Sequence, residues 1–329
     1  MLKYQRIVVP LDGSELAERA IAPAITIANA MTAEVILLTV VTPLPSKVDP
    51  FGQVLRKDIE AVKLYLELAR SRFLLASVGG KVAATVGKEI AQSIIKYGEQ
   101  NKVDLIIMSS RGQSGIRRRL YGSVTEKVLY GAPCATLAIR EQEPIHEGGL
   151  EMCKLILLSL DGSSLAEEAL PHAVALAKHF QAELILLRVL KPLSKHRDIP
   201  LGAARRAEQV TRELAHGHLE RVAAGVRESG IPVQAITVEG HAHEEIVYFA
   251  KVEQVDLIVM CMRGHSWLSR WLRGSVADRV VRGASVPVLL VSAGRKRRKR
   301  CDLNKNPSPN TPVLGTNMES QSGKITNTE

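Results

Sequence analysis

The sequence has few aromatic residues, few cysteines and no long hydrophobic run. Aromatic residues make up 4% of the 329 residues, and no apolar segment approaches the length that spans a membrane. The cysteines lack the spacing of a metal or redox site, which excludes a disulfide-rich secreted protein and indicates a reducing compartment. No signal-peptide core stands at the N-terminus, so the sequence predicts a cytoplasmic protein. The four cysteines are Cys134, Cys153, Cys261 and Cys301.

Positive charge is concentrated at the C-terminus. The formal net charge is +10, and roughly half of it follows Ser292, led by the basic run at residues 295–300. Residues 293–329 are basic and then rich in Asn, Ser, Pro, Thr and Gly, a composition that predicts a disordered tail. Such a tail either binds an anionic partner weakly (RNA, DNA or lipid) or only increases solubility. A nucleic-acid surface over the whole protein is not indicated.

Five strand patterns alternate with helix patterns in each half of the chain. In the first half the apolar, β-branched runs occupy residues 7–11, 35–41, 81–86, 103–108 and 135–139, and the same order restarts at residue 155. This alternation is typical of a parallel, doubly wound α/β sheet. The sequence therefore predicts two tandem domains, each with a five-stranded parallel sheet, at residues 1–140 and 153–292, joined by a polar linker at residues 141–152.

A helix is predicted after the first strand of each half. Ser14 is a suitable N-cap for the first of these helices, and Pro23 either kinks the helix or marks its true start. In the second half the corresponding helix is predicted over residues 164–180, and it contains Pro171. The fourth strand of the second half is predicted over residues 256–260, followed by a loop.

One motif occurs twice, after the fourth strand of each half. An apolar run leads to Gly112, a basic loop and then Gly122-Ser123-Val124; the second copy leads to Gly264, a loop of equal length and Gly274-Ser275-Val276. This pattern predicts a buried strand that feeds a loop and the N-terminus of a helix. Free backbone N–H groups and the positive end of the helix dipole converge at such a junction, so it is suited to bind phosphate.

An aspartate follows the first strand of each half. Asp12 and Asp161 stand at the carboxyl ends of these strands, where open α/β sheets bind their ligands. If the first and fourth strands are neighbours, each aspartate faces the same crevice as the glycine loop. The carboxylate would then accept hydrogen bonds from ribose hydroxyls or an adenine amine, and the loop amides would bind phosphates. Arg111 and Arg263 would add positive charge.

These features together resemble a tandem universal stress protein, with two such domains in one chain. Nucleotide-binding members carry G-x2-G-x9-G-[ST] after the fourth strand, and here the two copies run from Ser109 to Ser123 and from Cys261 to Ser275. The second and third glycines and the hydroxyl match in both copies, whereas Ser109 and Cys261 replace the first glycine. The second domain also has Ser159 where the first has Pro10.

The resemblance implies a Rossmann-like fold of the adenine nucleotide alpha hydrolase-like type, ATP binding with Mg²⁺, and a regulatory role in stress tolerance. It also implies association through the fifth strands, here between the two domains, and a homo-oligomer is a further expectation. Adenine would contact main chain near Val40 and Val189. The predicted nucleotide-binding residues are Pro10, Asp12, Val40, Ser109, Arg111, Gly112, Gly122, Ser123 and Val124 in the first domain and Asp161, Val189, Cys261, Arg263, Gly264, Gly274, Ser275 and Val276 in the second.

Simpler interpretations of these residues stay open at this stage. Gly112 and Gly264 also suit ordinary turns, and Asp12 and Asp161 also suit helix caps. The basic run at residues 117–119 is either a solvated face or a set of phosphate ligands. Cys261 is either a redox-sensitive thiol or an inert buried one. The histidines lack metal-ligand spacing, so no metal ligand is predicted.

Two other functions compete with ATP-dependent regulation. A weak ATPase is one alternative, although the chain has no P-loop lysine and no evident general base, so no catalytic residue is predicted. The other alternative is a nucleotide-free interaction scaffold of the same fold.

Overall fold

The structure is a computed structural model that describes residues 2–42, 53–109, 122–140, 153–192, 201–263 and 276–293. Within these ranges strands and helices alternate in both halves of the chain. The elements of the first half are β1 (Arg6–Pro10), α1 (Glu15–Glu18), α2 (Ile21–Met31), β2 (Glu34–Val41), α3 (Gln53–Leu75), β3 (Gly80–Val86), α4 (Ile90–Gln100), β4 (Leu105–Ser109), α5 (Ser123–Gly131) and β5 (Ala135–Ile139).

The second half repeats this order element by element. Its elements are β6 (Leu155–Ser159), α6 (Ser164–Glu167), α7 (Leu170–Phe180), β7 (Glu183–Leu190), α8 (Leu201–Arg227), β8 (Val233–Glu239), α9 (Ala242–Val252), β9 (Leu257–Arg263), α10 (Val276–Gly283) and β10 (Val288–Ala293). The predicted linker at residues 141–152 and all but the first residue of the predicted tail at residues 293–329 lie outside the described residues. None of the described helices is long and apolar enough to cross a membrane.

All of the strands belong to one sheet, in the order β3-β2-β1-β4-β5-β10-β9-β6-β7-β8. Each half contributes five parallel strands, and the halves meet where β5 pairs antiparallel with β10. The doubly wound α/β prediction and the pairing of the fifth strands are therefore confirmed. In each half the second and third strands lie on one side of the first strand, and the fourth and fifth strands lie on its other side. The order therefore switches between the first and fourth strands, β1 and β4 or β6 and β9. This is the switch point at which such sheets bind ligands.

The junction between the halves has local twofold pseudosymmetry. Leu137 of β5 lies opposite Leu289 of β10, and these two leucines occupy the same position in the repeat. The hydrophobic core is continuous across the junction. One core cluster on a single face of the sheet includes Ile7, Leu37, Leu158 and Leu289, which come from both halves. Strands buried on both faces explain the near-continuous apolar runs in the sequence.

The helix after the first strand is not continuous in either half. Ser14 caps the short helix α1 and accepts a hydrogen bond from the amide of Ala17, and α2 begins only at Ile21. Pro23 thus lies in the first turn of α2, where a missing N–H is tolerated. In the second half the prediction of one helix over residues 164–180 is wrong, because the chain breaks between α6 and α7. Pro171 stands in the first turn of α7.

Strand β9 is longer than the sequence predicts. It extends to Arg263, because β10 continues alongside it and pairs Val291 with Cys261 and Ala293 with Arg263. Cys261 and Arg263 are therefore strand residues rather than residues of the loop that follows.

Candidate functional site

The turn after β1 holds Asp12 in a defined position. Oδ1 of Asp12 accepts hydrogen bonds from the amide of Ser14 at 3.0 Å and from its hydroxyl at 2.6 Å. Gly13 between them has a φ of +83°, a left-handed conformation that favours glycine. Asp12 thus closes the turn that leads into α1, whereas Ser14 is the N-cap residue, so the interpretation of Asp12 as the helix cap is wrong. The same contacts fix its carboxylate at the carboxyl end of the sheet.

The turn after β6 repeats this geometry. Oδ1 of Asp161 accepts a hydrogen bond from the amide of Ser163 at 2.8 Å, and Gly162 has a φ of +84°. The amides of Leu11 and Leu160, one residue before each aspartate, donate to Leu38 and Leu187 at 2.8 and 2.9 Å. The two aspartates are therefore equivalent positions in the fold as well as in the sequence.

Strand β4 and helix α5 are tied together where β4 ends. The hydroxyl of Thr125 donates to the carbonyl of Ser109 at 3.0 Å, and both residues are buried. Ser109 is the last residue of β4, and a strand conformation is open to any residue. The loss of the family's first glycine therefore leaves the backbone unstrained here.

Gly122 is the N-cap residue of α5, with φ −67° and ψ 148°. Every residue type adopts this conformation, so the backbone of the turn does not require a glycine at this position. What glycine provides is space, because Gly122 lines a cleft together with Ser123. The hydroxyl-bearing Ser123 is the exposed first residue of α5.

We call this space the first-domain cleft. It has a volume of about 480 Å³, within the range of roughly 300–1,000 Å³ that small-molecule sites occupy. It lies at the switch point beside β1, β2 and β4. The lining residues are Pro10, Leu11, Asp12, Ala17, Leu38, Thr39, Val40, Val62, Ile90, Ile94, Met108, Ser109, Gly122, Ser123, Val124 and Thr125.

The cleft brings together seven of the nine residues predicted for the first domain. They are Pro10, Asp12, Val40, Ser109, Gly122, Ser123 and Val124. The other two, Arg111 and Gly112, lie outside the described residues, as does the basic run at residues 117–119. In the second domain Gly264, Gly274 and Ser275 also lie outside them.

Sequence reasoning missed most of the apolar lining. Ile90 and Ile94 lie one turn apart at the start of α4, and Val62 comes from α3. A helical apolar spacing was visible in the sequence, but it indicates only that a face is buried and not what covers it. Thr39 was missed as well; its hydroxyl donates to the carbonyl of Leu11 at 2.8 Å.

The cleft has an apolar part and a polar part. Val40, Ile90 and Ile94 form an aliphatic surface of the kind that accepts a flat aromatic base. Asp12 offers a carboxylate, whereas Ser123 and the N-terminus of α5 offer a hydroxyl and a positive dipole. An ionic ligand with an apolar ring at one end and negative charge at the other fits this division.

A polar network anchors α3 beside the cleft. The phenol of Tyr65 donates to Oε1 of Glu18 at 3.1 Å, and Arg72 pairs with Glu18 at 2.8 Å. Burial raises the pKa of Tyr65, and the hydrogen bond to Glu18 and the nearby charge of Asp12 raise it further. Tyr65 therefore stays a neutral donor. Nowhere in the described ranges do three His, Cys, Asp or Glu side chains gather as a metal site.

The second domain presents the equivalent residues differently. Val189 lies on β7, Cys261 is half-buried on β9, and Val276 is the first residue of α10. The guanidinium of Arg188, at the position that Thr39 occupies in the first domain, lies directly over Gly162. The two crevices are thus not copies of each other.

Comparisons with known proteins agree with the repeat and with the fold. The model of the Universal stress protein family matches residues 3–140 and again residues 152–292. A universal stress protein of Methanocaldococcus jannaschii is 35% identical over 153 residues, covering 46% of this chain and 89% of that protein. One of Mycolicibacterium smegmatis is 24% identical over 292 residues, covering 87% and 96%.

A solved structure supports the fold over nearly the same extent. The crystal structure of a universal stress protein from Archaeoglobus fulgidus matches with a TM-score of 0.67 and 21% identity. The match covers 89% of this chain and all of that one. At this identity the likeness concerns the fold alone.

Proposed function

The chain belongs to the universal stress protein family and carries two such domains in tandem, and from this premise we propose that it binds ATP in the first-domain cleft. Nucleotide binding would make it a regulatory module of the stress response, which changes its association or its partners when ATP binds. The observation that supports the proposal best is the convergence of Asp12, Gly122 and Ser123 on one cleft of about 480 Å³.

Each part of the nucleotide has a counterpart in the cleft. The adenine ring would pack against Val40, Ile90 and Ile94. The ribose hydroxyls would donate to the carboxylate of Asp12, which its contacts with Ser14 already hold in place. This pre-organisation lowers the entropy cost of binding.

The phosphates would lie at the start of α5. The amides of its first turn and the hydroxyl of Ser123 are donors there, and the absence of a side chain on Gly122 lets phosphate approach the backbone. Arg111 and Gly112 are proposed to complete the site from the adjoining loop. Mg²⁺ would be held through phosphate oxygens and water, because this ion prefers such ligands to an all-protein cage.

Recovery of bound nucleotide tests the proposal directly. The chain is purified, denatured by heat, and the released nucleotide is identified by chromatography and quantified per mole of protein. ATP in the wild type and its loss in Gly122→Val support the proposal, since a branched side chain there obstructs the cleft.

Other results point to the competing functions. ADP that accumulates with time would identify a weak ATPase. If the wild type releases no nucleotide and takes up none from millimolar ATP with Mg²⁺, the chain is a nucleotide-free scaffold.

A further inference from the structure

The two domains differ at one position that faces the same turn in each. Strands β2 and β7 are both eight residues long and begin with Glu34 and Glu183. Counting from these residues, Thr39 corresponds to Arg188. Main-chain hydrogen bonds from Leu11 to Leu38 and from Leu160 to Leu187 fix the same register in both domains.

In the first domain this position leaves the crevice open. Thr39 is a short residue, and its hydroxyl donates to the carbonyl of Leu11 at 2.8 Å. The side chain is thus held back against the main chain, and the residue forms part of the wall of the first-domain cleft.

In the second domain the corresponding side chain lies across the turn. A Cβ built on Gly162 would be 2.7 Å from Cζ, Nη1 and Nη2 of Arg188. Because these three atoms are equally distant, the plane of the guanidinium faces the glycine. The group is therefore stacked on the turn that follows Asp161, where the sheet opens toward its ligand side.

This placement has a steric consequence. The guanidinium occupies the space over the turn that the ribose of a bound nucleotide would need next to Asp161.

We propose that Arg188 closes the crevice of the second domain, so that the chain binds one nucleotide, in the first domain. The inference rests on the proposed function of the first-domain cleft. In this proposal the second domain has the fold of a nucleotide-binding domain but only a structural role. Arg188 is the residue that determines this difference.

Equilibrium dialysis with radiolabelled ATP and Mg²⁺ tests the inference on the full chain. We expect one nucleotide per wild-type chain and two per Arg188→Thr chain, because threonine restores the open form of the first domain. Arg221→Thr, which removes an exposed arginine of α8, is the matched control and should still bind one. Thermal unfolding of each variant checks that the fold is intact.

A double variant separates this inference from the proposed function. Gly122→Val should bind none, and Gly122→Val with Arg188→Thr should bind one, now in the second domain. Two nucleotides per wild-type chain would overturn the role of Arg188 while leaving ATP binding intact. One nucleotide per Arg188→Thr chain, as in the wild type, would also overturn the role of Arg188. If the wild type binds none but Arg188→Thr binds one, the first-domain assignment fails and Arg188 is still the closing residue.

Discussion

Asp12 combines a structural contact with a proposed ligand contact. One carboxylate oxygen, Oδ1, accepts both hydrogen bonds from Ser14, the N-cap residue of α1. A carboxylate has two oxygens and about four acceptor sites, so the contact with Ser14 and ribose binding are compatible. The sequence left a helix cap and a ligand contact as alternatives for Asp12, and the structure places Ser14 at the cap.

The substitution Asp12→Asn separates the two contacts. Asparagine keeps a carbonyl oxygen that accepts from Ser14 but removes the charge, so thermal stability should change little. Hydrogen bonds to a charged group contribute about 1.5–3 kcal/mol, so the affinity for ATP should fall at least about tenfold. Isothermal titration calorimetry measures this change.

Asp161→Asn is the matched control in the second domain. It occupies the equivalent turn and makes the equivalent contact with Ser163. Its affinity for ATP should equal that of the wild type if Arg188 closes the second crevice. An Asp12→Asn variant that binds ATP as tightly as the wild type would contradict the role of Asp12.

Tyr130 of α5 bonds to a buried carboxylate in the other half of the chain. Its phenol donates to Asp278 of α10, which also accepts from Arg282 at 2.9 Å. Burial raises the pKa of Tyr130 well above its ordinary value, and the hydrogen bond to Asp278 raises it further. The phenol therefore keeps its proton to higher pH in the folded state than in the unfolded chain.

This pKa shift predicts how stability depends on pH. Tyr130 contributes fully to the free energy of unfolding below about pH 10, the pKa of a tyrosine in the unfolded chain. Above that pH the unfolded state loses the proton first, so the free energy of unfolding falls as pH rises.

Tyr130→Phe should make the decline in stability between about pH 9 and 11 less steep and cost about 1–2 kcal/mol at neutral pH. Urea unfolding at a series of pH values measures both effects. Tyr248→Phe, on the exposed surface of α9, should cost nothing at neutral pH. An equally steep decline in Tyr130→Phe and the wild type would exclude this account.

At the scale of elements, β5 and β10 join the two halves of the sheet, and β5 carries one buried hydroxyl without a hydrogen bond. The hydroxyl of Thr136 is buried and has no hydrogen-bond partner in the described part of the structure. Its counterpart in the repeat is Val288 of β10, which is fully buried. The fold thus already accepts a valine at the equivalent place.

Thr136→Val should stabilise the protein by about 1 kcal/mol, because it removes an unpaired buried hydroxyl and keeps the shape. Thr125→Val is the matched control: its hydroxyl donates to Ser109, so the same change should be destabilising by a similar amount. Chemical denaturation of both variants measures the difference. Stability that falls in Thr136→Val would contradict the assignment of an unpaired hydroxyl.

The number and order of the strands could be predicted from local signals. Apolar runs gave all the strands within a few residues, and the repeat made each half a check on the other. The extension of β9 to Arg263 could not be foreseen, because it depends on the neighbouring β10. The break between α6 and α7 was missed because apolar spacing continues through it, although Pro171 was a signal that the sequence already contained.

The candidate site was predictable where a motif carries the chemistry. Asp12, Gly122 and Ser123 were found because they recur at fixed spacing beside strand ends. Thr39 and Arg188 were not, because a single polar residue within an apolar strand has no local signature. Only the equivalence of the two turns, seen in three dimensions, shows that these residues face the same place.

At the scale of the whole molecule, polar contacts reinforce the apolar junction between the halves. Arg282 of α10 pairs with Glu126 of α5 at 3.0 Å, and the phenol of Tyr4 bonds to His172 at 2.7 Å. One hydrophobic cluster runs through both halves on one face of the sheet. The halves should therefore unfold together.

Calorimetry should show one unfolding transition for the wild type. Leu137→Asp places a charge at the centre of the junction, where Leu137 is 1% exposed, and should cost at least about 3 kcal/mol. Leu64→Asp, at a position 66% exposed on α3, should change stability by about 0.5 kcal/mol or less. Two well-separated wild-type transitions would show that the halves are independent.

The central claim is that the first-domain cleft binds ATP, and titration calorimetry of the full chain with ATP and Mg²⁺ tests it most directly. The account predicts saturable heat with one nucleotide per wild-type chain and no heat for a folded Gly122→Val variant. No heat from the wild type, or equal heat from both proteins, would contradict it.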